Sequence, residues 1–234
     1  MNKLKVREHT RRTTGRRTQA ERRASTRTKA IAGTIELIRR TGMANVTVAN
    51  IVTQTGVSWG AMQNLFGTKD YVLVAICEEA IGTMIGRLDA LSCPPGSSVA
   101  QRVRAIIDCT RAIFEEPAFS VAAEIYRNAP QDEAVRRKLR KALREGRANM
   151  DRTWRHLFDG TRVDSDKLIF ARHLVSMALF GLSARNGVND PLSYEWQIPY
   201  DSFAERAIDF LVEHITALLE PEARPRSRGR VVGG

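Results

Sequence analysis

The sequence predicts an all-α protein, and three observations carry the prediction. Apolar residues recur at three- and four-residue spacing in run after run, Ser, Thr or Asp heads most of the runs, and Gly or Pro closes them. No stretch alternates in the two-residue period of a half-buried strand. About nine helices follow, with no internal repeat of solenoid length. With 43% apolar and 27% charged residues among 234, the chain can bury an ordinary core. The most apolar stretch, 168–182, is interrupted by Arg172 and His173, short of the roughly 18 to 20 residues a membrane span needs. The first thirty residues are basic and polar without an apolar signal core, so a cytoplasmic location is expected. Cys77, Cys93 and Cys109 are odd in number and far apart, which points to idle thiols rather than disulfides or metal ligands.

Taken in order, residues 1–17 carry seven Lys or Arg and almost no apolar side chains, and are expected to form a disordered basic arm. Thr18 with Glu21 makes a capping box for a first helix, in which Ala20, Ala24, Ile31, Ile35 and Ile38 keep helical register until Gly42. Thr47 caps a short second helix with Val48, Ile51 and Val52 inward, and Gly56 ends it. Ser58 caps a third, 59–65, and Thr68 a longer fourth through Tyr71, Leu73, Ile76, Ile81, Met84 and Leu88. Cys93-Pro94-Pro95-Gly96-Ser97-Ser98 punctuates the chain. Beyond it, helices are expected over 99–116, 117–128 and 132–158, then from Asp164 or Ser165 to Arg185, and from Asp201 or Ser202 to Leu219. The loop 186–200 and the Arg-rich residues 221–234 lie outside that pattern, and the latter are expected to be disordered.

Charge divides the chain unequally. Residues 1–70 hold 14 Lys or Arg against 4 Asp or Glu, whereas 71–220 hold 19 against 21. A nearly neutral body behind a strongly basic first third fits a polyanion-binding head, and a merely solubilising head remains the bland alternative. The expected organisation is an arm (1–17), a three-helix basic head (18–70), a larger helical body (71–220) and a tail (221–234).

The segment 47–66, TVANIVTQTGVSWGAMQNLF, has helix-turn-helix spacing. Gly56 supplies the positive φ that the corner needs, and Ile51, Val57 and Met62 can lock the helix pair. Thr53, Trp59, Gly60, Gln63 and Asn64 are then left outward, a face suited to the major groove. Gln63 and Asn64 can bond bidentately to adenine, while Gly60 and Ala61 permit close approach, with room beside Ala61 for a thymine methyl. Backbone N–H groups at helix starts capped by Thr47, Ser58 and Thr68 can hold phosphates alongside Lys69. The whole reading requires Gln63 and Asn64 to face solvent. Arg11, Arg12, Arg16 and Arg17 of the arm can add minor-groove or phosphate contacts. If so, a chain lacking residues 1–17 shows a shallower slope of log K against log salt, and an unchanged slope removes the arm from the interface.

Gly42, Thr47, Ile51, Gly56-Val57-Ser58, Gly60, Phe66, Thr68 and Lys69, behind an amphipathic first helix, resemble the DNA-binding domain of the TetR family of bacterial transcriptional regulators. The likeness covers 18 to about 75. It departs from the family pattern at Gln63, where Tyr is usual, at Leu65, where an aromatic or His is usual, and at Val52, where a small residue is common. The resemblance implies a recognition helix over 58–65, backbone contacts from Thr47 and Lys69, and a core role for Met62 and Phe66. It further implies a homodimer on a near-palindromic operator, paired through helices 168–185 and 203–219. These carry Ile169, Leu174, Met177, Ala178, Phe180 and Gly181 on one, and Phe203, Ala207, Phe210, Leu211, His214 and Leu218 on the other.

The resemblance also implies a repressor released by a small-molecule effector inside the body. Phe114, Phe119, Tyr126, Met150, Trp154, His173 and Met177 are the expected lining, with Arg127 or His173 as polar anchor and a weak preference for apolar or aromatic compounds. No cofactor or metal is expected: His9, His156, His173 and His214 lack metal spacing, and Glu78-Glu79 and Glu115-Glu116 read as solvated pairs. An all-helical small-molecule-binding or interaction module with a solubilising head, and an architectural protein indifferent to sequence, remain as alternatives.

Overall fold

A computed structural model describes residues 18–183 and 200–220, and most of them are helical. The expectations for 1–17, 184–199 and 221–234, including the last two residues of the helix expected to end at Arg185, lie outside the described residues. In chain order the helices are α1 (Gln19–Thr41), α2 (Val48–Thr55), α3 (Trp59–Phe66), α4 (Lys69–Ala90), α5 (Val99–Phe114), α6 (Pro117–Arg127), α7 (Glu133–Leu157), α8 (Ser165–Ser183) and α9 (Tyr200–Leu219). A 3₁₀ turn, Met43–Asn45, joins α1 to α2.

Local chemistry sets most boundaries. Thr18 and Glu21 satisfy each other's backbone N–H groups at the start of α1. Gly42, at φ 76°, lets the chain leave α1 in a conformation closed to most residues. Ser98 and Gln101 form a second capping box at α5, which the sequence reading did not identify. Pro117 opens α6 where its missing N–H costs nothing. Two expectations need correction. Thr68 occupies the N-cap position of α4 but its hydroxyl makes no cap bond, and α9 begins at Tyr200, ahead of Asp201 and Ser202.

Two apolar clusters hold the helices. The first gathers Ile31 and Ile38 of α1, Ile51 of α2, Met62 of α3 and Val72 to Cys77 of α4, and continues through Val121 and Ile125 of α6 to Val135 and Leu139 of α7. The second combines the far half of α4 with α5, the end of α7, α8 and α9. Each fully buried aliphatic chain contributes on the order of 1.5–3 kcal/mol, so the head is welded to the body rather than strung from it. α4 passes through both clusters. α7 lies along it in the same direction, with Lys138 over the Tyr71 ring, Gly146 against Ile81 and Thr153 bonded to Asp89. A Cβ at Gly146 would come within 2.8 Å of Ile81 Cγ2, so the close approach of these helices uses the missing side chain.

Candidate nucleic-acid interface and body cavity

The helix-turn-helix is built by three local devices. Thr47 Oγ1 accepts the Asn50 N–H (3.2 Å) and starts α2. Gly56, at φ 62° and ψ 16°, takes the left-handed corner and returns its N–H to Val52. Ser58 Oγ then accepts the Ala61 N–H (3.3 Å) and starts α3. Ile51, Val57 and Met62 are buried where the two helices cross. Around this crossing Thr53, Ser58, Gly60, Gln63 and Asn64 are exposed, and Trp59 is 40% exposed. The polar side of α3 therefore points to solvent, as the helix-turn-helix reading requires. Val48 and Val52 are half-buried, against the fully inward placement expected of them.

Ala61 turns partly toward α1, and with Asn64 and Leu65 it borders a groove whose other wall is Gln19, Arg22, Arg23 and Thr26. Neither Arg22 nor Arg23 is among the expected DNA contacts. Their signal was present as two adjacent cations in the first turns of α1, away from its buried Ile31 and Ile38 side. Arg27 leans over the Phe66 ring (5.9 Å) and pairs with Glu79 (3.7 Å), tying α1 to α3 and α4. Phe66 itself is half-buried against the first cluster.

Lys69 does more than wait for a phosphate. Its ammonium donates to the Val46 carbonyl (3.1 Å), bracing the turn before α2. An ammonium has three N–H donors, so the bond leaves others for a phosphate. Without a hydroxyl cap from Thr68, the first N–H groups of α4 also stay open to an acceptor.

In the body, a cavity of about 350 Å³ lies between the clusters. Six of the eight expected lining residues meet there: Phe114, Phe119, Tyr126, Met150, His173 and Met177. Phe114 and Phe119 stack at 4.0 Å and form one wall. Two expectations are overturned. Trp154 is turned into the second cluster and stacks on Phe158, while Arg127 lies over the Phe180 ring (5.8 Å) and off the cavity wall. The polar lining of the cavity is instead Arg147 of α7 with Arg172, His173 and Ser176 of α8. Arg172 is only 2% exposed and ion-paired with Asp151 of α7 (2.5 Å). Its Nη2 lies 2.8 Å from His173 Nε2, and His173 Nδ1 lies 2.8 Å from the Ile169 carbonyl.

Burial pushes the Cys77 thiol up to about 12 and raises the neighbouring Tyr126 phenol as well, so both stay protonated and inert at neutral pH. Among the described residues, no three His, Cys, Asp or Glu side chains gather as a metal site.

No family model matches the chain. It is 28% identical to the HTH-type transcriptional regulator CymR of Pseudomonas putida over 174 residues, covering 73% of this chain and 84% of that one. It is 35% identical to the HTH-type transcriptional regulator BetI of Escherichia coli over 101 residues, 42% of this chain and 49% of BetI. Its fold is similar to that of a TetR transcription regulator from Haloarcula marismortui, with a TM-score of 0.62 at 20% identity, over 84% of this chain and all of the other.

Proposed function

We propose that the chain is a TetR-type helix-turn-helix transcriptional regulator that binds a near-palindromic operator as a homodimer and represses until an effector releases it. The observation that carries the reading is the exposure of Gln63 and Asn64 on a helix whose opposite side, Met62, is buried behind a left-handed Gly56 corner. Rigid seating of that kind is what lets a short helix present amide side chains to base edges.

The dimer reading rests on an apolar surface. Phe170, Leu174, Met177 and Gly181 fall on one side of α8, and Phe203, Ala207, Phe210 and His214 on one side of the adjacent α9. Met177 is 73% exposed, Phe210 60% and Phe170 59%. Side chains of that size gathered on two packed helices fit burial against a second copy in a four-helix bundle. Leu211, expected on this side, belongs to the core instead.

The cavity supports the effector reading. Its walls come from α4, α5, α6, α7 and α8, and α4 begins at the operator face with Lys69. A compound that prefers an arrangement with the wrong spacing of recognition helices weakens operator binding by the ratio of its two affinities. Aromatic and methionine walls with two arginines, Arg147 and Arg172, suit a compact, mainly apolar compound bearing a polar group.

Selection of bound duplexes from a random pool, followed by competition with unrelated duplex, tests the proposal. A specific regulator prefers its operator by ~10³ or more. Equal competition by unrelated duplex supports an architectural protein, and absence of binding at low salt supports a helical interaction module. A compound screen for release of the selected duplex then tests the cavity.

A further inference from the structure

The short turn between α1 and α2 is fastened from three directions. Glu124 of α6 accepts the Met43 backbone N–H on Oε1 at 3.0 Å, across 81 residues of sequence. Asn50 of α2 donates from Nδ2 to the Asn45 carbonyl at 2.8 Å. Lys69, at the start of α4, donates to the Val46 carbonyl at 3.1 Å. Four consecutive residues thus join α6, α2 and α4. Met43 opens the 3₁₀ turn directly after Gly42, where its N–H has no partner within the turn, and a carboxylate is the strongest acceptor a protein can offer it.

α6 is a short helix with two occupied sides. Phe119, Ala122, Ala123 and Tyr126 line the body cavity. Val121, Ala122 and Ile125 belong to the same apolar cluster as Ile31, Ile51 and Met62 of the head. Glu124 sits between these contacts in sequence, adjacent to Ala123 on the cavity wall and Ile125 in the head's cluster. An 11-residue helix moves as a unit on this scale, so a shift on its cavity side displaces the carboxylate that holds Met43.

We propose that Glu124 is a positioning residue for operator binding: its bond to the Met43 amide sets α6 in register with the turn that launches α2, so that α6, alongside α4, relays the state of the cavity to the helix-turn-helix. The inference rests on the regulator reading above. The acceptor oxygen, rather than the negative charge alone, holds the turn.

Amide hydrogen exchange and operator affinity on the full chain test it together, using the operator selected as above. In Glu124→Ala the Met43 amide exchanges faster while the amides of Ile106 and Ile107, buried in α5, keep wild-type protection, and operator affinity falls roughly tenfold or more. Glu124→Gln keeps an acceptor oxygen, so its affinity stays within about threefold of wild type, the margin expected when only the charge is lost. Ser176→Phe fills the cavity from α8 as a stand-in for an occupant. It speeds Met43 exchange and weakens operator binding in the wild-type background, and adds little to Glu124→Ala.

Unchanged Met43 exchange in Glu124→Ala overturns the link whatever the DNA does. Wild-type affinity in Glu124→Ala overturns the positioning role, and Glu124→Gln as weak as Glu124→Ala overturns the acceptor assignment. A null effect of Ser176→Phe on Met43, or strict additivity of Ser176→Phe with Glu124→Ala, overturns the relay. If the wild-type chain selects no operator, the regulator reading and this one fall together. If wild type and all variants bind alike, only the role of Glu124 falls.

Discussion

Phe210→Asp yields a folded monomer that binds its operator at least ~10²-fold more weakly than wild type. Phe210 is 60% exposed, and among the described residues its ring stacks on the exposed His214 of its own helix (3.7 Å between centroids). Removing it therefore costs the isolated chain little, within about ±0.5 kcal/mol for an exposed position without special contacts. Across a twofold interface the same substitution places a carboxylate in each copy of an apolar bundle, where an unpaired charge costs several kcal/mol. Loss of the dimer converts two linked half-site contacts into independent ones, and the loss of effective concentration accounts for the affinity drop. Sedimentation equilibrium reads the mass, circular dichroism reads the fold, and gel shift reads the operator. Phe170→Asp, on α8 and 59% exposed, behaves the same way. A dimer that persists in both variants assigns the exposed apolar surface to another partner.

What was legible in the sequence was what local chemistry decides. Thr18 with Glu21, Thr47, Gly56 and Ser58 each act on residues within four positions, and each does in the structure what its type and spacing imply. The outward placement of Gln63 and Asn64 followed from the same local pattern, since fixing Met62 in the core dictates where its neighbours point. Thr68 shows the limit of such reading: the residue type fits an N-cap and the position is right, but its hydroxyl makes no cap bond.

The features missed depend on partners distant in sequence. Arg172 read as an interruption in an apolar run, yet it is inside, because Asp151 of another helix meets its charge. Met150 and Trp154 stand one turn apart on α7 with the same apolar character. One reaches the cavity and the other fills the second cluster, a difference set by how α5 and α8 close around them. The division at residue 70 followed charge, which tracks the proposed operator face. Packing follows another line, since the cluster that holds α1 to α3 runs on through α4 into α6 and α7. Glu124 gave no sign at all, because nothing in a helix of eleven residues announces a backbone N–H that lies 81 positions earlier.

Asn64→Ala and Lys69→Ala weaken operator binding in different ways, and the contrast separates base reading from backbone holding. Asn64 is exposed on the outer side of α3, at the groove shared with Arg22 and Arg23. A side-chain amide there can bond bidentately to one adenine edge, an interaction worth about 1–3 kcal/mol of discrimination. Removing it lowers affinity for the selected operator by roughly five- to 150-fold per half-site, and the penalty disappears on a duplex already changed at that base pair. Lys69→Ala instead removes a cation next to the open N-terminus of α4, together with its brace on Val46. Affinity then falls on every duplex alike, and the slope of log K against log salt decreases by about one per half-site. The measurement is a matrix of both variants against the operator and its single-base-pair changes, at three salt concentrations. If Asn64→Ala loses affinity equally on all members of that matrix, Asn64 holds the phosphate backbone and the base-reading assignment passes to Gln63 or Trp59. If Lys69→Ala acts on one base pair only, its ammonium reaches into the groove, and the brace on Val46 gives way when DNA is bound.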